Sequence, residues 1–171
     1  MIVLIKMKKY LIITFLLFCC AVSRAQTMSF SDLADLANLT LPQADNILIQ
    51  TGKFKINNKE EVLGQILTHY QSIDKNKSVI KGESLVTGAY RTTGDGIMLK
   101  TITYKTVYPA YIDNLVKQIR HFGYRLTFTG KDETQNILIF DNQLNHITIS
   151  KRFDGVSNSM VIRQKEIGVD Q

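Results

Sequence analysis

The chain contains no tryptophan, and only two prolines and two cysteines in 171 residues. Both cysteines, Cys19 and Cys20, fall in the first 25 residues. Residues 26–171 therefore hold no disulfide, no thiol nucleophile and no cysteine-ligated metal. With proline only at Pro42 and Pro109, no polyproline linker or low-complexity tract divides the chain. Histidine occurs three times, at His69, His121 and His146, and no two stand at the i, i+4 spacing of a helical metal site. There is no Walker loop, no dinucleotide fingerprint and no G-x-S-x-G elbow. The glycines fall singly at expected turns and helix stops. These absences leave no motif for nucleotide, thiol or motif-based hydrolase chemistry, and no cofactor or metal is expected.

Long apolar runs are also missing. The longest, within Tyr10–Cys20, is shorter than the ~20 residues that a membrane span needs. It follows Lys6, Lys8 and Lys9 and precedes Ser23-Arg-Ala25, the order of basic, apolar and small residues in a secretory signal. Cleavage before Gln26 is expected, with Met7 an alternative start. Bulky Phe18 ahead of Cys19-Cys20 is unlike a lipoprotein site, so no stable membrane anchor is expected after processing. Signals of this kind, with Ala-Gln at the cut, resemble those of Gram-negative exports, which implies a periplasmic or secreted protein. Residues 1–25 carry four of the 21 basic residues and no acid, leaving 17 basic against 15 acidic, a net charge of +2 instead of +6. A nucleic-acid partner inferred from the high pI would be an artefact of the leader.

What is present is organised around Met98–Thr129. Ile112, Leu115, Val116, Ile119 and Phe122 form one helical stripe over Pro109–Phe122. Pro109 suits the first turn, where its missing N–H is no loss, and Gly123 stops the helix. Lys117, Arg120 and His121 lie toward the negative end of its dipole. Tyr124, Leu126 and Phe128 then alternate with Arg125, Thr127 and Thr129, which predicts a strand with one wet face. The same order appears earlier: Thr40-Leu-Pro-Gln43 has capping-box spacing, Leu41, Ala44, Ile47 and Leu48 form a stripe, Gly52 stops it, and Lys53-Phe-Lys-Ile56 opens a strand. Ser29–Leu39 predicts a short helix capped by Ser29 or Ser31.

Residues 57–72 fit both periods, and Gly64 and Thr68 favour one strand with Val62, Ile66 and Tyr70 on one face. Asp74–Lys81 reads as a solvated loop. Thr92-Thr-Gly-Asp-Gly96 predicts a hairpin between Leu85–Arg91 and Ile97–Thr106. A meander of Tyr124–Thr129, Asn136–Phe140, His146–Phe153 and Ser159–Lys165 completes the chain, with a frayed tail.

Helices followed by strands, twice, predict an α+β fold with helices on one face of an antiparallel sheet. The 146 residues after the leader suit one domain of two half-units, 29–106 and 107–171, and the repeated helix–Gly–aromatic–strand opening suggests a tandem duplication of a helix–four-strand unit. In layout this resembles the tandem helix-plus-four-strand proteins of the secreted β-lactamase inhibitor protein type. It also resembles small exported bacterial proteins of no assigned activity that open with the same pattern. Both resemblances are architectural and imply no site residue.

The polar sides of the strands are the candidate recognition surface: Arg125, Thr127, Thr148, Ser150 and Arg152, joined by Lys100 and Tyr104, which share a strand face. Tyr and Arg are favoured at interface centres. The expected function is a non-enzymatic binding or assembly module of the envelope, whose partner is another envelope or extracellular protein. Two alternatives stand beside it. One is an envelope hydrolase assembled from dispersed His and Asp residues such as His146 and Asp141. The other is a structural subunit of an envelope complex.

Overall fold

The computed structural model describes residues 28–166 except Leu63 and Lys75, and only the backbone of Ile80 and Lys81. The leader expected over residues 1–25, both cysteines and the extreme C-terminus lie outside the described residues. Three helices and eight strands follow in chain order: α1 Phe30–Asn38, α2 Leu41–Gln50, β1 Phe54–Val62, β2 Gln65–Ile73, β3 Val79–Thr92, β4 Met98–Thr106, α3 Pro109–His121, β5 Arg125–Lys131, β6 Gln135–Asp141, β7 Asn145–Arg152 and β8 Asn158–Gln164. The strands form one antiparallel sheet in the order β1-β2-β3-β4-β8-β7-β6-β5. Two four-stranded meanders thus meet through their last strands, Ile102 opposite Ile162 and Tyr104 opposite Met160. The fold is α+β, as expected. The strand order agrees with a duplicated unit without establishing one.

Local chemistry accounts for the helix boundaries. Ser29 and Asp32 make a reciprocal capping box at α1, and Thr40 and Gln43 make another at α2. Each cap is worth ~1 kcal/mol. α3 has no side-chain cap, but Pro109 begins it and Gly123, at φ +79°, ends it. Gly52, at φ +65°, ends α2 in the same way. The three helices among the described residues lie on one side of the sheet. α1 crosses the seam of β4 and β8, α2 lies over β1 and β3, and α3 lies over β4, β7 and β8.

The core lies between these layers. Leu33, Leu36, Ala44, Leu48, Ile112, Leu115 and Ile119 from the helices meet Leu85, Ile102, Phe140, Ile147, Ile149, Met160 and Ile162 from the sheet. Each large aliphatic side chain so buried contributes roughly 1.5–3 kcal/mol. Phe30 packs edge-on against Phe122 at 5.5 Å and Tyr124 at 5.3 Å, and its N–H donates to Gln118 Oε1 at 2.8 Å, so α3 seats the start of α1.

Three expectations are corrected. Residues 57–72 are not one strand but the hairpin of β1 and β2, turning at Gly64 (φ +76°), so Val62 and Ile66 lie on opposite arms. The loop expected over Asp74–Lys81 is shorter, because β3 starts at Val79. The regular alternation expected along β5 breaks between Leu126 and Phe128, where the register shifts by one residue. Leu126 faces Phe140 on the helix side, and Phe128 faces Ile139 on the opposite side. A bulge reverses the side-chain parity beyond it. β1 shifts likewise between Ile56 and Asn58. Bulges on both edge strands, with Lys55, Lys59, Glu60 and Glu61 on β1 and Arg125 and Lys131 on β5, blunt the sheet edges against further pairing.

Candidate functional site: the open face of the sheet

Residues directly opposite in an antiparallel sheet share a face, so the register sorts every strand position into helix side or open side. Three rows cross the open face. The first runs Thr101, Arg163, His146, Asp141, Arg125. The second runs Val86, Thr103, Val161, Thr148, Ile139, Phe128. The third runs Ser84, Lys105, Ser159, Ser150, Ile137, Gly130. Strands lie ~4.8 Å apart, so the four central ones present a strip about 15 Å wide. Its hydroxyl-bearing positions are all partly exposed, in contrast to the buried positions that alternate with them.

Five of the seven candidate residues stand on this side or at its rim. Thr148 and Ser150 are central. Arg125 and Thr127 are at the β5 edge, and Thr127 Oγ1 donates to Asp141 Oδ2 at 2.8 Å. Arg152 is opposite Gln135 at the end of β7, and its guanidinium is engaged with Asp154, Nη2 to Oδ2 at 2.6 Å. That pairing holds Arg152 above its ordinary pKa and brings Asp154 to about 2.

Lys100 and Tyr104 are corrections. They share a strand face, as expected, but it is the helix-covered one. Tyr104 is wholly buried opposite Met160 and donates to Glu83 Oε2 at 2.5 Å. Burial and the neighbouring Glu83 carboxylate push its pKa far up, so it stays a neutral donor. Tyr70 does the same with Asp45 of α2, a carboxylate that also receives Lys59 Nζ at 2.7 Å. Burial draws the Lys100 ammonium below the ordinary lysine range. The open positions of β4 are instead Thr101, Thr103 and Lys105, which the sequence reading passed over together with Arg163, Val161 and Ser159 of β8. Ile102 was the available signal: an aliphatic residue two places from both Lys100 and Tyr104 marks their shared face as the core side.

The best-organised polar group is the cluster around Asp141. Its carboxylate accepts from Lys165 Nζ at 2.6 Å, Thr127 Oγ1 at 2.8 Å and His146 Nδ1 at 3.0 Å. Partial burial acts to raise its pKa, but the three donors outweigh that and bring it to about 2. His146 is thereby held by Nδ1, with Nε2 left as its second functional atom. On the same open face, toward the β1 edge, His69 Nε2 meets Glu60 Oε1 at 2.8 Å. His121 lies exposed at the end of α3, with no carboxylate partner among the described residues. Neither paired histidine is hydrogen-bonded to a serine or threonine hydroxyl among the described residues. No group of three or more His, Cys, Asp or Glu converges there as a metal site.

Arg163 is steadied differently. Its guanidinium carbon lies 5.5 Å from the centre of the Tyr90 ring, and Tyr90 is itself fixed by donating to the Gln164 carbonyl at 2.5 Å. No helix among the described residues is long and apolar enough to cross a membrane. No family model, no curated protein and no solved structure matches the chain.

Proposed function

We propose that the chain is an exported, non-enzymatic binding or assembly module of a bacterial envelope, acting in the periplasm or outside the cell. Its contact surface is the open face of the sheet, and its partner is another envelope or extracellular protein. The observation that carries this reading is the contrast between the two sides: three helices cover one, while the other presents ordered rows of hydroxyl and basic side chains among the described residues. The leader-like order of residues 6–25 supports export. A rigid sheet with few side-chain rotamers to freeze is suited to recognition at low entropic cost.

The test is capture by the affinity-tagged protein from its native envelope fraction, read by mass spectrometry, beside a Thr103→Trp, Thr148→Trp variant. The bulky indoles obstruct the centre of the face while keeping strand propensity. A stoichiometric partner held by the native protein and lost by the variant is expected. Equal capture by both would remove the face from the account.

A second reading rests on His146 and Asp141. A carboxylate holding imidazole Nδ1 is the orienting half of a general-base arrangement. It supports an envelope hydrolase only if His146→Gln abolishes a hydrolytic activity of the purified protein. The missing hydroxyl partner for Nε2 makes this the weaker alternative.

A further inference from the structure

The chemistry of the open face bears on what kind of partner fits it. Short of Arg152 at the end of β7, which is engaged with Asp154, the strip formed by β3, β4, β8 and β7 consists of Ser84, Val86, Gly88, Thr101, Thr103, Lys105, Ser159, Val161, Arg163, His146, Thr148 and Ser150. It contains basic groups and hydroxyls, and no carboxylate. The acids nearest to it are engaged elsewhere: Asp141 receives three donors, Glu60 pairs with His69, and Glu166 pairs with Arg91 at 3.3 Å. No carboxylate among the described residues pairs with Lys105, Arg163 or Arg125. Arg163 is also held in place by Tyr90 while its charge stays unmatched, so little side-chain entropy is left to lose on binding.

Resting on the function proposed above, we infer that the open face takes an acidic protein surface, with carboxylates seated along the Arg163–His146 row and at Lys105. Charge complementarity of this kind sets partner choice and association rate. The row between them, Val86, Thr103, Val161 and Thr148, alternates apolar and hydroxyl groups, the mixture that fills the middle of a protein contact. A glycan is a poorer match, because Tyr90 beside the strip is already covered by Arg163 and the exposed Phe128 ring stands away from it at the β5 edge. A nucleic acid is poorer still: three basic side chains over the strip fall short of the dense cation track that a phosphate backbone requires.

The experiment is an amide NMR titration of the purified protein with poly-L-glutamate, and separately with heparin, at low ionic strength. Expected are poly-glutamate shifts clustered at Thr101, Thr103, Thr148 and Ser159. A Lys105→Glu, Arg163→Glu variant with unchanged thermal stability should bind about tenfold more weakly. Shifts centred on the helix-side cations Lys117 and Arg120, or binding of heparin without poly-glutamate, would overturn the inference. The two proposals fail separately. If the tryptophan pair abolishes envelope capture while the charge-reversed variant captures normally, the face stands and the acidic partner falls. If neither variant alters capture, both fall.

Discussion

The same strands build the two faces of this sheet from alternate residues, and the faces solve opposite problems. On β4, Ile102, Tyr104 and Thr106 point under the helices and are buried, while Thr101, Thr103 and Lys105 point away from them. The covered face is aliphatic, and its buried tyrosine hydroxyls are each matched to a carboxylate, Tyr104 to Glu83 and Tyr70 to Asp45. Those two hydroxyls face inward and are consumed by the fold. On the central strip of the open face the hydroxyls and the Lys105 and Arg163 cations are displayed and not matched by acids among the described residues. The comparison teaches that a polar residue on a strand is no guide to a surface until its parity is known. Tyr104 and Thr103 differ by one position, and one holds the fold while the other is displayed on the open face.

Substitutions should separate the faces by their cost. The largest effect is expected at the centre of the covered face: Leu115→Ala should destabilise by about 2–5 kcal/mol, since it leaves a cavity between α3 and the sheet. Chemical denaturation measures it, and a loss near zero would mean that the helix layer is not fastened as described. Tyr104→Phe comes next, at about 1–3 kcal/mol, because it takes a donor from the buried Glu83 carboxylate without changing volume much.

The rim lies between the two faces, and pH probes it. The folded Asp141 pKa of about 2 is below its ordinary 3.8, so whatever stability its donors contribute is fully present above pH ~4. It is lost as pH falls through about 2. The Asp141 carboxyl resonance should titrate near that value, and Lys165→Met should move it upward; an ordinary titration in the native protein would dissolve the cluster. The smallest effect is expected on the open face, where the Thr103→Trp, Thr148→Trp pair should change stability by no more than about 0.5 kcal/mol per site. A loss rivalling that of Leu115→Ala would erase the distinction between the faces.

Elements governed by local chemistry were legible in the chain. Ser29 and Asp32, Thr40 and Gln43, Pro109, Gly123 and the glycines after Thr92 each act within a few residues, and the helices and hairpins follow them closely. What depended on pairing was not legible. The turn at Gly64 splits a segment that satisfies two periods at once, and only pairing with β3 decides it. The bulge before Phe128 moves that ring to the open side, and no residue type announces it. The candidate surface was therefore half read. Thr148 and Ser150 alternate with Ile147 and Ile149, which fixes their side. Tyr104 was misplaced because its hydroxyl suggests solvent, while its partner Glu83 lies on a neighbouring strand, 21 residues away in the chain.

The most direct test of the account is the paired capture from the envelope fraction, native protein against the Thr103→Trp, Thr148→Trp variant, at matched folding. A partner retained by the first and lost by the second is expected. A partner retained equally by both would contradict it, and would send the search for function to the other side of the sheet or to His146.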